Sequence, residues 1–438
     1  MNRTELYLLL SIVMLLMICA CSICLTREKT HVKLLYVSDG YASTSVNTAA
    51  FRRDALCTKE GKEYISFYDK DGYLTLGERF LKDTAWSIQR TQYKGEVTDA
   101  HRTISIAVDD SGYLHVAFNH HDSQLCYTRS VEPYSLQLDT LMPMTGMREK
   151  RVTYPEFYPM DTTLLFVYRD GASGRGSMVM NRYNLKEKNW ERVQSNLIDG
   201  EGERSAYWQM CTSRQGTIHV SWVWRESWLV ETNHDMCYAC SHDGGRTWQK
   251  SDGSEYELPI TLENAEKIWE IPQSSELINQ TSMTVDGDDN PYIATYWCDK
   301  KSDVPQYKII YKDGEEWKMQ QVSNRKQEFS LSGGGTKMIP IARPKLLVKD
   351  KKAWLFVREE EYGGMAAMYC TKNIKVNNPR WKRKDLTSFA VNAWEPILDN
   401  TLWREEGKIA LFVENTMQGD GEKVSENEAQ GVYVLMVE

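Results

Sequence analysis

The sequence predicts an all-β protein: a seven-bladed β-propeller forming a single domain behind an N-terminal lipoprotein-type signal. Three observations carry this. Runs of alternating or continuous apolar β-formers recur at intervals of about forty to seventy residues, close to blade spacing with some long loops. The stretch Ser241-His242-Asp243-Gly244-Gly245-Arg246-Thr247-Trp248 matches the Asp-box pattern S-x-D-x-G-x-T-W, a hairpin turn in which the aspartate ties down backbone amides and the tryptophan packs beneath. No segment carries a convincing amphipathic helix; residues 262–270 are the best candidate for a short one.

The strand units follow in order. Residues 64–77 (YISFYDKDGYLTLG) read as a hairpin around an Asp-Gly turn. Residues 104–118 repeat the plan with the turn at Ser111-Gly112. Residues 163–168 (TLLFVY), 216–224 (GTIHVSWVW), 290–297 (NPYIATYW), 353–358 (AWLFVR) and 407–414 (GKIALFVE) complete the set. Residues 325–337, with Gly333-Gly334-Gly335, read as a mobile loop. That loop lacks the strand-before, helix-after context of a phosphate cradle, which excludes nucleotide binding.

The first twenty residues read as a signal peptide, because Tyr7 to Cys21 is an apolar run too short for a comfortable membrane span. Ile18-Cys19-Ala20-Cys21 resembles a bacterial lipobox, with Cys21 as the lipidated residue, residues 21–32 as a short tether and 33–438 as the propeller. An uncleaved anchor is the alternative. Either way the body is exported and membrane-tethered, at the outer membrane or cell surface with the periplasmic side as an alternative; in the lipoprotein reading it meets the membrane only through its lipid. The ten cysteines show no disulfide framework in their spacing.

Composition sets limits on partners. With 53 Lys and Arg against 61 Asp and Glu, the net charge of −8 argues against nucleic acid. It also repels an acidic polysaccharide at long range, so such a substrate needs a local basic pocket.

Residues 98–129 hold four of the eight histidines. His115 and His219 recur at one repeat position, Gly-x-x-His-Val, and are read as structural. His101 and His121 do not recur and are the candidates for chemistry. His120 falls with Val116 and Phe118 on the other side of its strand and is expected to pack, with sugar contact as the alternative.

Several short motifs stand in a telling order: Ser45 to Arg52 (SVNTAAFR), Asp99-Ala100-His101, Asn119-His120-His121-Asp122, Tyr168-Arg169-Asp170-Gly171, Asn181-Arg182-Tyr183 and Thr232-Asn233-His234-Asp235. Jointly, over about residues 33–437, the chain resembles the BNR-repeat (Asp-box) seven-bladed propellers that include the ulvan lyases and a related α-L-rhamnosidase. The resemblance implies a ligand containing a uronic acid, hence an acidic polysaccharide or oligosaccharide. It does not by itself fix the reaction, because the family holds lyases, hydrolases and members with altered sites; in the lyase reading, by β-elimination, the resemblance matches His101 and His121 to the paired histidines, Tyr168 to the catalytic tyrosine and Arg182 to the arginine facing the carboxylate. Elimination next to a carboxylate needs that charge neutralised, a base for the C5 proton and an acid for the departing oxygen.

A glycoside hydrolase is the first alternative. The rhamnosidase relative uses a first-blade histidine, whereas this chain has Asn47 there, with Gln280 as a candidate sugar contact on that face. A sialidase is disfavoured by the lack of an Arg-Ile-Pro motif. A non-catalytic glycan-binding surface protein is the third reading. Arg204, Tyr207 and Trp208, in GERSAYWQ, form a polar-aromatic cluster of the kind that lines a sugar cleft. The chemistry requires no cofactor. His234, Cys237 and Cys211 form a candidate structural metal set for zinc or calcium, because Cys237 and Cys240 on one strand point to opposite faces.

Overall fold

The computed structural model describes residues 31–49, 54–160 and 163–437. The signal, most of the tether and Cys21 lie outside the described residues.

Strand β1 (Val32–Gly40) is set aside by the chain and used last. The first unit is β2 (Leu56–Lys59), β3 (Lys62–Tyr68), β4 (Tyr73–Phe80) and β5 (Ser87–Lys94). The second is β6 (Ile104–Val108), β7 (Leu114–Phe118) and β8 (Tyr127–Arg129). Next come β9 (Val152–Met160), β10 (Thr163–Ala172), β11 (Arg175–Asn184) and β12 (Asn189–Gln194). The fourth unit is β13 (Ser205–Thr212), β14 (Ile218–Arg225), β15 (Asn233–Ser241) and β16 (Glu266–Trp269). A single parallel pairing, Gly176 with Ser205, joins these two units into one sheet. The fifth is β17 (Ser282–Val285), β18 (Pro291–Trp297), β19 (Gln306–Asp313) and β20 (Glu316–Gln321). The sixth is β21 (Lys345–Lys349), β22 (Lys352–Arg358), β23 (Met365–Thr371) and β24 (Lys382–Ala390). The last holds β25 (Ile397–Leu398), β26 (Ile409–Glu414) and β27 (Gln430–Val437), and β1 pairs antiparallel to β27 as its outer strand.

Within each unit neighbouring strands run antiparallel, and the first strands pack on one another: β2 on β6, β6 on β9, β9 on β13, β13 on β17 and β17 on β21. Leu347 and Phe356 then share a cluster with Leu398 and Leu411. Leu56 and Ile65 share another with Ile397 and Phe412, so the last unit touches both the sixth and the first.

This arrangement explains the residue patterns. A strand covered on both faces has no reason to alternate, and β6 (ISIAV) and β14 (IHVSWVWR) are buried throughout. Outer strands lose one cover and turn polar, as in β5 (SIQRTQYK) and β20 (EWKMQQ).

The Asp-box behaves as its sequence implies. Asp243 Oδ1 accepts from the amides of Arg246 and Thr247 at 2.9 and 3.0 Å, and the buried Trp248 donates Nε1 to Gly245 O. His115 bridges Asp109 and the Tyr127 hydroxyl; His219 bridges Asp289 and the Tyr238 hydroxyl. Their recurrence is therefore structural.

The helix expectation at 262–270 is corrected: that region contributes strand β16. Among the described residues the α-helix is α1 (Asn400–Glu406), capped by Asp399, whose Oδ1 accepts from Leu402 N at 2.8 Å, and ended by Gly407 at φ 67°. The seven described cysteines are free thiols.

Candidate active site

First strands begin, and second strands end, on one side of the molecule. The segments there gather His101, His121, Tyr154, Arg169, Ser173, Tyr207, Arg225, Gln280, Thr336 and Arg343 around a cavity of about 140 Å³.

His101 precedes β6 and His121 follows β7, and the two stack, with ring centroids 4.1 Å apart and 14° between planes. Asp99 holds both. Its Oδ1 lies 3.1 Å from His101 Nδ1 and its Oδ2 accepts from His121 Nδ1 at 2.6 Å. A carboxylate partner fixes the proton on Nδ1 of His121, which leaves Nε2 as the basic nitrogen. His101 Nδ1 also lies 3.0 Å from Glu422 Oε1 and 3.3 Å from Thr336 Oγ1.

The two imidazoles titrate apart. Burial opposes charge on His101, but Asp99 and Glu422 outweigh it and raise its pKa to about 9. Burial and the neighbouring His101 cation hold His121 below the ordinary histidine value, despite Asp99. Asp99 is driven well below the carboxylate range by the two histidines, against its own burial. Near neutral pH the site thus contains one imidazolium and one neutral imidazole.

Across the cavity, the Tyr207 hydroxyl meets Ser173 Oγ at 2.8 Å and Arg169 Nη1 at 3.4 Å. The guanidinium carbons of Arg169 and Arg225 lie 5.9 and 5.2 Å from its ring centroid. Burial would raise the phenol's pKa; Arg225 and Arg169 overcome this and lower it. Arg169 is placed by a β-bulge: the β9–β10 register slips between Val167 and Arg169, and Tyr154 beside it has φ 57°.

Neither Arg169 nor Arg225 pairs with a carboxylate among the described residues. Arg169 donates to Gly171 O, and Arg225 to the carbonyls of Trp228 and Leu229. Both are nearly sealed, at 2% and 7% exposure. Arg343 is different, being bound bidentately by Glu395. Gln280 is 1% exposed, lines the cavity, and neither side-chain polar atom has a hydrogen-bond partner among the described residues. Among the described residues no aspartate or glutamate lines the cavity; Asp99 and Glu422 reach it only through the histidines they bind. Buried charges and amides without partners are costly, so this pocket suits an anionic, hydroxyl-bearing ligand.

The structure brings His101, His121, Tyr207 and Gln280 together and leaves the other candidates elsewhere. Tyr168 is a correction. Its ring is sealed in a cluster with Leu164, Phe166 and Trp190, and its hydroxyl lies between Arg148 O and Arg192 Nη2. The next residue, Arg169, is the one turned into the pocket. Arg182 is also corrected: it sits on β11 beside Glu191 of β12, 3.6 Å away. His120 is buried and accepts from Cys126 N. Asn47 is buried, bonding the backbone N and O of Tyr68. Arg204 is engaged by Glu201, Glu203 and Glu226. Trp208 is buried, with Nε1 directed to Glu156. Gln280 lies in the histidine pocket rather than on a separate face.

The metal set does not assemble. Cys237 packs with Trp222 and Trp224, whereas Cys211 belongs to the cluster on the other face of that sheet, with Tyr238 and Cys240. His234 is bonded by Glu226 and Asp235. Among the described residues, the group with metal-ligand geometry is Asp99, His101 and His121, whose donor atoms lie within 4.8 Å of one another.

Arg169 and Arg225 had a sequence signal. An arginine closes the apolar strands LLFVYR169, VSWVWR225 and AWLFVR358, three times in one chain. Glu422 and Thr336 had none, since each reaches the site from a distant loop.

Antiparallel units set around a shared centre, with a polar pocket at one mouth, define a β-propeller. The chain belongs to the BNR repeat-containing family, whose model matches residues 62–325. It is similar in fold to a polysaccharide lyase described as a PL25 ulvan lyase: TM-score 0.64, 18% identity, 91% of this chain and 97% of that one covered. A PL25 ulvan lyase structure bound to -[GlcA(1-4)Rha3S]- gives TM-score 0.62 at 16% identity, with 90% of this chain and 96% of that one covered. No curated protein sequence gave a significant match.

Proposed function

We propose that the protein is a polysaccharide lyase, cleaving a uronate-containing glycan by β-elimination, and that its seven units are the blades of one propeller. The observation that carries this is the pair of nearly sealed guanidiniums, Arg169 and Arg225, lining one cavity with His121, with no carboxylate lining it among the described residues. The fold likeness to an ulvan lyase supports the same class.

In this reading Arg169 and Arg225 bind the C6 carboxylate and withdraw its charge, which acidifies the C5 proton. His121 Nε2 takes that proton. The released electron pair forms the C4–C5 double bond as the C4–O bond breaks, and Tyr207 delivers its proton to the leaving oxygen. His101, held cationic by Asp99 and Glu422, adds positive charge near the forming dianion. Gln280 offers a donor and an acceptor to ring hydroxyls. These steps need no metal.

Hydrolysis is less well served. A two-carboxylate glycosidase needs a free acid and a second carboxylate across the bond. Here Asp99 and Glu422 are both committed to histidines. We further propose export and lipid anchoring through Cys21.

The test is incubation with ulvan-like, rhamnogalacturonan-like and arabinogalactan glycans, reading ultraviolet absorbance and released monosaccharide together. Elimination gives an absorbing unsaturated uronate. Saturated products alone would replace this reading by hydrolysis; binding with neither product would leave a glycan-holding protein.

A further inference from the structure

The cavity has room for roughly one sugar ring, so the next residue of a polymeric substrate must lie on its rim. Trp228 stands there. It lines the cavity and is 61% exposed, the one exposed tryptophan among the described residues. Five others are fully buried. An indole left in water beside a sugar-sized cavity has forgone the burial that tryptophan normally obtains.

Its position is fixed rather than incidental. Arg225 Nη2 donates to Trp228 O at 2.7 Å, and Arg225 Nε to Leu229 O at 3.2 Å. Leu229 N donates to Ser227 Oγ, and Thr232 Oγ1 to Leu229 O. The ring itself rests on Gly334: a Cβ added there would meet Cε3 and Cζ3 at 2.6 and 3.0 Å. The Gly333–Gly335 stretch is tied in turn by Val230 N to Gly333 O and by Gly333 N to Glu231 Oε2. The indole is thus braced by a backbone that only glycine allows so close, and its turn shares Arg225 with the pocket.

We propose that Trp228 is a stacking platform for the sugar adjoining the pocket-bound uronate, so that the protein reads at least two residues of an extended glycan. The inference rests on the lyase reading for its substrate class. An indole face covers the apolar C–H face of a pyranose, and its rigidity keeps the ordering cost low.

The experiment compares wild type, Trp228→Ala and Trp228→Phe on glucuronate-containing disaccharide, tetrasaccharide and hexasaccharide, with KM and kcat read by ultraviolet absorbance. Trp228→Ala is expected to raise KM for the hexasaccharide about tenfold, with kcat little changed. Trp228→Phe should recover most of the loss. Calorimetric binding of the hexasaccharide to His121→Ala, with and without Trp228→Ala, separates the two claims. Weakened binding without an absorbing product from wild type keeps the platform and discards the lyase. Wild-type elimination with a KM that Trp228→Ala leaves unchanged at every chain length discards the platform and keeps the lyase. Neither binding nor turnover on any of the three overturns both.

Discussion

His101 and His121 stack 4.1 Å apart on the two oxygens of one carboxylate, Asp99, yet burial and Glu422 leave only the first of them readily charged. Two chemically identical side chains thereby acquire different tasks.

His121→Ala should remove the base. A loss on the order of 10²–10⁴ in kcat is expected, with circular dichroism unchanged because the ring is partly exposed. Asp99→Asn keeps the shape but frees the Nδ1 proton, so turnover should also fall. An Asp99→Asn variant as active as wild type would remove the tautomer argument.

The phenol and guanidinium assignments are tested in pairs. Tyr207→Phe and Arg225→Ala should each lower kcat/KM by at least a hundredfold. Tyr168→Phe and Arg182→Ala should leave it within about twofold. Tyr168→Phe is expected to cost about 1 kcal/mol of stability, read by denaturant melting, because its hydroxyl bonds Arg148 and Arg192. The opposite ranking would return the site to Tyr168.

The pH profile should be bell-shaped. His121 acts when neutral and its pKa lies below the ordinary value, so the rising limb should fall below pH 6.5. Tyr207 acts when protonated and its pKa is lowered, so the falling limb should begin below pH 10. Stability carries a separate sign. His101 is raised from 6.5 to about 9, so its contribution is complete below 6.5 and is lost as pH climbs towards 9. The melting temperature should drop over that window, and Glu422→Gln should flatten the drop.

Zinc should inhibit. Asp99, His101 and His121 place donors within 4.8 Å, close enough to converge on the ion with small movements. Binding would occupy the base and invert the charge balance of the pocket. Activity should fall with added Zn²⁺ and return with chelator, while chelator alone leaves the untreated enzyme unchanged. Loss of activity with chelator alone would place a metal in the reaction.

Much of this was legible in local sequence. The strand units, the Asp-box turn and the repeated Gly-x-x-His-Val histidines are short-range patterns, set by β-propensity, turn chemistry and cover on both faces. His101 and His121 stood out because they broke the repeat. The partners did not. Tyr168 and Arg169 are adjacent, and which of them enters the pocket depends on a one-residue slip against β9. Arg204 and Tyr207 look equally suited to a sugar cleft, but only Tyr207 lies between two guanidiniums that have no carboxylate partner among the described residues, while Arg204 is taken by three glutamates. The sequence by itself therefore determined an all-β repeat and one histidine pair. The phenol, the arginines and Glu422 were decided by the tertiary structure, because facing across a mouth built from separate units is a matter of register and closure, which no local spacing encodes.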